Sequence, residues 1–167
     1  KFYKLGGSEK YSECVDEGWI APSYGATGTV KDAKGNIYRT VLIGDQYRNG
    51  QVWMAENMNM EVDDSYCYNN LKDSCDKYGR LYTWAAAMDS AGVYSTNGKG
   101  CGYEAFCTKV FPVRGICPEG WRLPNLQDWQ YLSLVASSFN SQNSGLALMQ
   151  RINSNWYGTN ETGFSAL

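Results

Sequence analysis

The stretch Cys117-Pro118-Glu119-Gly120-Trp121-Arg122-Leu123-Pro124-Asn125-Leu126-Gln127-Asp128-Trp129 puts a cysteine, a turn, a short extended segment and a helix start within thirteen residues. Pro118 presets its own φ angle and Gly120 tolerates positive φ, so Cys-Pro-Glu-Gly is turn chemistry. Trp121 and Leu123 then share one side of a short buried strand, which Pro124 stops. Asn125 is a good N-cap, and Asp128 can return a hydrogen bond to it, much as in a capping box. Leu126, Trp129, Leu132, Val135, Ala136 and Phe139 follow at helical spacing. The spacing predicts a helix over 126–139 that lays one apolar stripe on a core.

The chain has 167 residues, of which 43% are hydrophobic and 19% charged, enough for one globular domain with a sizeable core. A net charge of −2, with no cluster of Lys or Arg, argues against nucleic acid as a partner. Histidine is absent. That excludes a Ser-His-Asp triad, a Cys-His nucleophile and any His-ligated metal. The six cysteines, Cys14, Cys67, Cys75, Cys101, Cys107 and Cys117, include no Cys-x-x-Cys pair. Their spacing suggests local bridges, Cys67 to Cys75 and Cys101 to Cys107, each closing a polar loop. Paired cysteines in loops mark an oxidising compartment, so the chain reads as exported. Lys1-Phe2-Tyr3-Lys4-Leu5 opens no apolar signal segment, and without an initiator Met the chain reads as a mature form or a fragment. No apolar run approaches the ~18 residues of a membrane span.

Along the chain, residues 1–27 read as a polar lead-in or linker and 28–167 as the domain. A hairpin is expected from residues 28–32 and 36–43 around Ala33-Lys34-Gly35, followed by a strand at Gln51-Val52-Trp53-Met54. Tyr78, Leu81, Tyr82, Ala85 and Met88 recur at helical spacing and predict a second helix over 76–90. Residues 61–77 and 91–116 read as cysteine-bearing loops, with a short helix near Leu146–Gln150. Phe164-Ser165-Ala166-Leu167 looks like the start of a strand.

Several motifs occur in order: Trp53-Met54-Ala55-Glu56-Asn57-Met58-Asn59, Cys67-Tyr68, Cys75, Tyr78-Gly79-Arg80-Leu81-Tyr82-Thr83-Trp84-Ala85-Ala86-Ala87-Met88, Val113 through Pro124 with Trp129, and Gly163-Phe164-Ser165-Ala166-Leu167. Together they resemble the Fibrobacter succinogenes major paralogous domain over about residues 28–167. The resemblance implies a module of exported bacterial proteins, extracellular or held at the cell surface, and supplies no catalytic residues. It also implies further strands beyond Leu167 ending near a cysteine that would partner Cys117. Within this chain Cys14 is the remaining candidate, so a Cys14–Cys117 bridge stays open. The Leu-Pro element followed by Trp more distantly resembles C-type-lectin-like domains. The expected fold is α+β: a twisted, mainly antiparallel sheet, two flanking helices, and long disulfide-pinned loops in a C-type-lectin-like architecture.

Candidate sites are few. Glu56 and Asn57 could bind a sugar hydroxyl or a cation, although side chains in such a place more often hydrogen-bond loop backbone. Glu61, Asp63 and Asp64 offer hard oxygens for Ca²⁺, the one cofactor in view, against the plainer reading of a solvated acidic loop. No two carboxylates stand out as a glycosidase pair. Trp53, Trp84, Trp121 and Trp129 read as core. Tyr47, Tyr66, Tyr68, Tyr94, Tyr103, Trp156 and Tyr157 fall in loops, where rings stack on sugars, anchor protein partners or simply cover a core. Trp156 and Tyr157 beside Asn153, Asn155 and Asn160 make the best single patch, and Asn160-Glu161-Thr162 also fits a glycosylation sequon. The chain therefore reads as a non-enzymatic, cell-surface binding or adhesion module, with polysaccharide or a surface protein as partner. The alternative is a structural subunit of a bacterial filament or sheath, self-assembling or completed by another chain.

Overall fold

A computed structural model describes residues 3–4, 27–44, 50–105, 112–139, 143–149 and 158–165. The expectations attached to Cys14, Tyr47, Cys107, Asn153, Asn155, Trp156 and Tyr157 lie outside these residues. The protein is α+β. Strands β1 (Tyr3–Lys4), β2 (Thr27–Lys31), β3 (Ile37–Ile43) and β4 (Gln51–Met54) form a sheet in the order β1-β4-β3-β2. β4 runs antiparallel to β1 and to β3, with Trp53 opposite both Tyr3 and Val41. A smaller antiparallel pair joins β5 (Ser65–Tyr66) to β6 (Leu81–Tyr82). The helices are α1 (Lys72–Tyr78), α2 (Trp84–Ala87), α3 (Leu126–Phe139) and α4 (Ser144–Leu148). No helix among the described residues is long and apolar enough to cross a membrane.

The chain divides into two compact units. One is built from residues 30–38 and 57–123, the other from 39–56 and 124–165 with 3–29. In the second, Val41, Ile43, Trp53, Ala55, Leu132 and Phe164 form the core, and Val135 and Leu148 pack on it. The Trp53 ring is fully buried, 5.1 Å from Trp129 and 5.5 Å edge-on from Phe164. Gly163, at φ 69°, brings Phe164 in, because a Cβ there would meet Val41 at 3.1 Å. Helix α3 starts and stops where its pattern predicts. Asn125 N–H donates to Asp128 Oδ2 at 2.7 Å, and Asp128 N–H donates to Asn125 Oδ1 at 3.1 Å. Its buried stripe is narrower than the sequence suggests. Leu132 and Ala136 are buried, whereas Leu126 is 71% and Trp129 43% exposed.

In the first unit, Met88, Cys101 and Val113 form a core with Leu123 packed against it. The turn after Cys117 closes as read, with Trp121 N–H on the Pro118 carbonyl and Gly120 at φ 75°. Beyond it the chain is extended, Leu123 N–H reaching the Val113 carbonyl at 2.8 Å. Cys67 and Cys75 are bridged as their spacing suggests, and Cys101 is also in a disulfide.

Two expectations fail. The helix predicted over 76–90 is instead α1, β6 and α2 in succession. Gly79 at φ 75° ends α1, and a side chain there would strike Asn57 and the Met58 carbonyl. Arg80 N–H bonds that same carbonyl, the chain straightens into β6, and α2 restarts only at Thr83, whose hydroxyl caps Ala86 N–H. Cys117 carries a buried free thiol whose pKa burial pushes up, and the Cys14 side of the open pairing lies outside the described residues. Phe164 and Ser165 do not begin a strand. Ser165 sits at φ 53° with its amide held by Asn160 Oδ1, a turn conformation.

Candidate functional site

The first unit carries a run in which large apolar side chains face water. Between Tyr66 and Trp84 the chain forms β5, the Cys67–Cys75 bridge, α1, β6 and the start of α2. Residues opposite one another in an antiparallel pair share a face. Tyr66 therefore stands beside Leu81, and the two are 50% and 57% exposed. Tyr68, Leu71, Tyr78 and Trp84 are also exposed. Isolated exposed hydrophobes are ordinary, but six in nineteen residues of one bridged hairpin are not.

Inward contacts hold the hairpin. Tyr82, opposite Ser65, is partly buried, and its hydroxyl donates to the Met60 carbonyl at 2.8 Å. Burial pushes that phenol up in pKa, keeping it a donor. Arg80 reaches Glu61 at 3.1 Å and Ser65 Oγ at 3.4 Å. Ser65 Oγ in turn donates to the Val62 carbonyl. The remaining cations of the hairpin are also engaged: Lys72 pairs with Asp76 at 3.0 Å, and Lys77 lies 4.9 Å over the Tyr78 ring. Asp64, at φ 57°, accepts the Tyr66 hydroxyl at 3.3 Å. The outer face thus joins aromatic surface to an exposed carboxylate acceptor.

The residues singled out from sequence sort differently. Glu56 accepts Arg39 Nε at 3.1 Å and the Arg39 backbone N–H at 2.7 Å. Asn57 Nδ2 donates to the Tyr78 carbonyl at 2.9 Å. Both hold backbone, the plainer of the two readings. Glu61, Asp63 and Asp64 do not converge on a calcium site. The Glu61 carboxylate turns to Arg80 and that of Asp64 to Tyr66. No group of three His, Cys, Asp or Glu residues among the described residues could hold a metal. Asn160 closes on Ser165 through both ends of its amide, at 2.8 and 3.0 Å. Thr162, the third sequon position, is buried and donates to the Ala147 carbonyl. Neither side chain is free to meet a ligand or a modifying enzyme.

Among the loop aromatics, Tyr66, Tyr68 and Tyr103 are exposed and Tyr94 is half-buried. Trp53 and Trp121 are core, but Trp84, read as core, is 54% exposed at the first position of α2. The sequence reading missed Leu71, Tyr78 and Leu81 as surface groups, although a glycine inside the helical pattern was the available signal. It also missed two structural carboxylates. Buried Asp89 accepts the amides of Val93, Tyr94 and Ser95, and so shapes the loop that follows. Buried Asp32 accepts the amides of Lys34 and Asn36 and the Tyr38 hydroxyl at 2.7 Å. Burial and that bond push the Tyr38 phenol up in pKa.

No curated protein and no solved structure matches the chain, so the C-type-lectin-like likeness finds no solved counterpart. A family model does match, over residues 47–167, a span that holds the bridged hairpin, the Cys117–Trp129 segment and the four helices of the described residues. The chain belongs to the Fibrobacter succinogenes major domain family.

Proposed function

We propose that this chain is a non-enzymatic binding or adhesion module that works outside the cell, at the bacterial surface, and holds polysaccharide. One observation carries the reading: the exposed rings of Tyr66, Tyr68, Tyr78 and Trp84 on a disulfide-braced hairpin. Aromatic rings give large contact areas with few rotatable bonds, so they bind at small entropic cost. Their flat faces suit the C–H faces of sugar rings, and the Asp64 carboxylate can accept sugar hydroxyls. The pairing of the hairpin's lysines and arginine favours an uncharged polymer over an anionic one. The Cys67–Cys75 bridge fits an oxidising compartment. A non-enzymatic role is supported by the lack of histidine and by the structural employment of Asp32 and Asp89.

The test is retention on insoluble cellulose, xylan and chitin, together with a glycan array. The intact protein should be retained on at least one polymer. The double variant Y66A/Y68A should lose about tenfold or more in affinity, as expected when aromatic anchors are truncated. Failure of the intact protein on every polymer sinks the carbohydrate reading. The alternative, a filament or sheath subunit completed by another chain, drew on an open strand at Phe164–Leu167. The described part of that segment, Phe164 and Ser165, forms a turn.

A further inference from the structure

Helix α3 has an outward face without a single charge. A surface helix ordinarily sets charged residues opposite its buried stripe. Here Leu126, Gln127, Gln130, Ser133, Leu134 and Ser138 are exposed, Leu126 at 71% and Leu134 at 69%, while the helix's one charged residue, Asp128, is buried in the N-cap. The charge-free run continues past the helix, since no Asp, Glu, Lys or Arg occurs between Asp128 and Arg151. Depletion of charge around exposed leucines is what the core of a protein interface looks like.

The order of residues on this face points to a particular occupant. Leu126 and Leu134 lie four residues to either side of Gln130. An isologous two-fold contact requires that residue i meet residue j while j meets i. Two copies of α3 packed antiparallel across Gln130 satisfy that rule. Leu126 of one copy meets Leu134 of the other, twice over, and Gln127 meets Ser133 twice over. The central Gln130 amides face each other, and an amide both donates and accepts, so the pair complements itself. A face with no charge also brings no like-charge repulsion to its own copy. We propose that α3 is a self-association surface on which a second copy of this chain docks antiparallel. The helix is about 21 Å long, so the contact is small and weak, with a dissociation constant between about 1 µM and 1 mM. For a surface module, pairing would set two binding faces in one particle and raise avidity without a new ligand contact. The inference stands on α3 alone and does not depend on what the hairpin binds.

Sedimentation velocity on the full chain, up to about 1 mM, tests it. The wild type should show a reversible monomer–dimer equilibrium. L126E/L134E sets like charges across both leucine contacts and should weaken dimerisation by at least about tenfold. L126K/L134E sets opposite charges across the same two contacts and should dimerise. Both pairs of sites are exposed, and circular dichroism checks that each variant is folded. A wild type that stays monomeric throughout overturns the proposal. So does equal behaviour of the two double variants, whether both dimerise or both fail, because the antiparallel register demands that they differ.

Discussion

Removing the Cys67–Cys75 bridge probes how the exposed aromatic segment is held. The bridge closes a separation of eight residues. In the chain-entropy model, a loop of that length removes about 8 cal/mol/K from the unfolded state, or about 2.5 kcal/mol at 25 °C. Little else is available to hold the loop that the bridge closes. Its ion pair, Lys72–Asp76, has side chains 83% and 56% exposed and adds a few tenths of a kcal/mol at most. Asn69 and Asn70 sit at φ 54° and 56°, a left-handed conformation that costs energy even for asparagine. The local amide bonds, Asn70 to Cys67 and Leu71 to Tyr68, close single turns. The double variant C67A/C75A should therefore lose about 2.5 kcal/mol in urea unfolding, with the slope changed little. A loss below about 0.5 kcal/mol would refute the loop-entropy argument. The same variant should bind polysaccharide less well, because Tyr68 and Leu71 lie within the released loop. Lost stability with unchanged affinity would move the binding surface away from this segment.

Three further outcomes follow from side chains described above. Tyr38 and Tyr82 hold their protons more tightly folded than unfolded, so their contribution is complete below the ordinary phenol pKa of 10.0 and lost as pH rises above it. Unfolding free energies from urea melts should be level between pH 7 and 9 and fall above pH 10, by up to about 1.4 kcal/mol per pH unit for each phenol; a free energy unchanged to pH 11 would contradict their burial. Leu132 is almost fully buried in the second unit's core, and L132A should cost about 2–5 kcal/mol, whereas L134A on the opposite side of α3 should cost under about 0.5 kcal/mol. Cys117 should resist iodoacetamide in the native protein and react once unfolded, as read by mass spectrometry of its peptide; native labelling at the rate of an exposed thiol would show that it is not buried.

What could be read from sequence was whatever closes within a few residues. The Asn125–Asp128 box, the Pro118–Gly120 turn and the Cys67–Cys75 loop each depend on near neighbours, and each is present. Helix α3 was legible end to end because its cap and its buried residues agree. The 76–90 segment was not. Its apolar spacing fits a helix, but Gly79 packs against the Met58 carbonyl, and β6 pairs with a strand fifteen residues earlier. Those partners lie outside any local window. Cys117 is a buried free thiol, although six cysteines invite pairing by arithmetic.

The candidate surface was only half visible. Tyr66 and Tyr68 sit among polar residues and were read as loop aromatics; both are exposed, Tyr66 on β5 and Tyr68 at the start of a 3-10 turn. Leu81 was assigned to a buried stripe because apolar residues at helical spacing normally face inward, and Trp84 to the core as an aromatic within the predicted helix. That inference holds only if the helix exists. Once Gly79 breaks it, Leu81 is governed by the two-residue period of a strand, and the face it takes is set by its partner. Tyr82 points inward to the Met60 carbonyl, so Leu81 must point outward beside Tyr66. A single positive-φ glycine thus brings part of a presumed core stripe, Tyr78 and Leu81, to the surface while Met88 stays buried. The same break that defeats the helix prediction creates the aromatic face on which the proposed binding rests, so restoring the helix by G79A should cost stability and binding together.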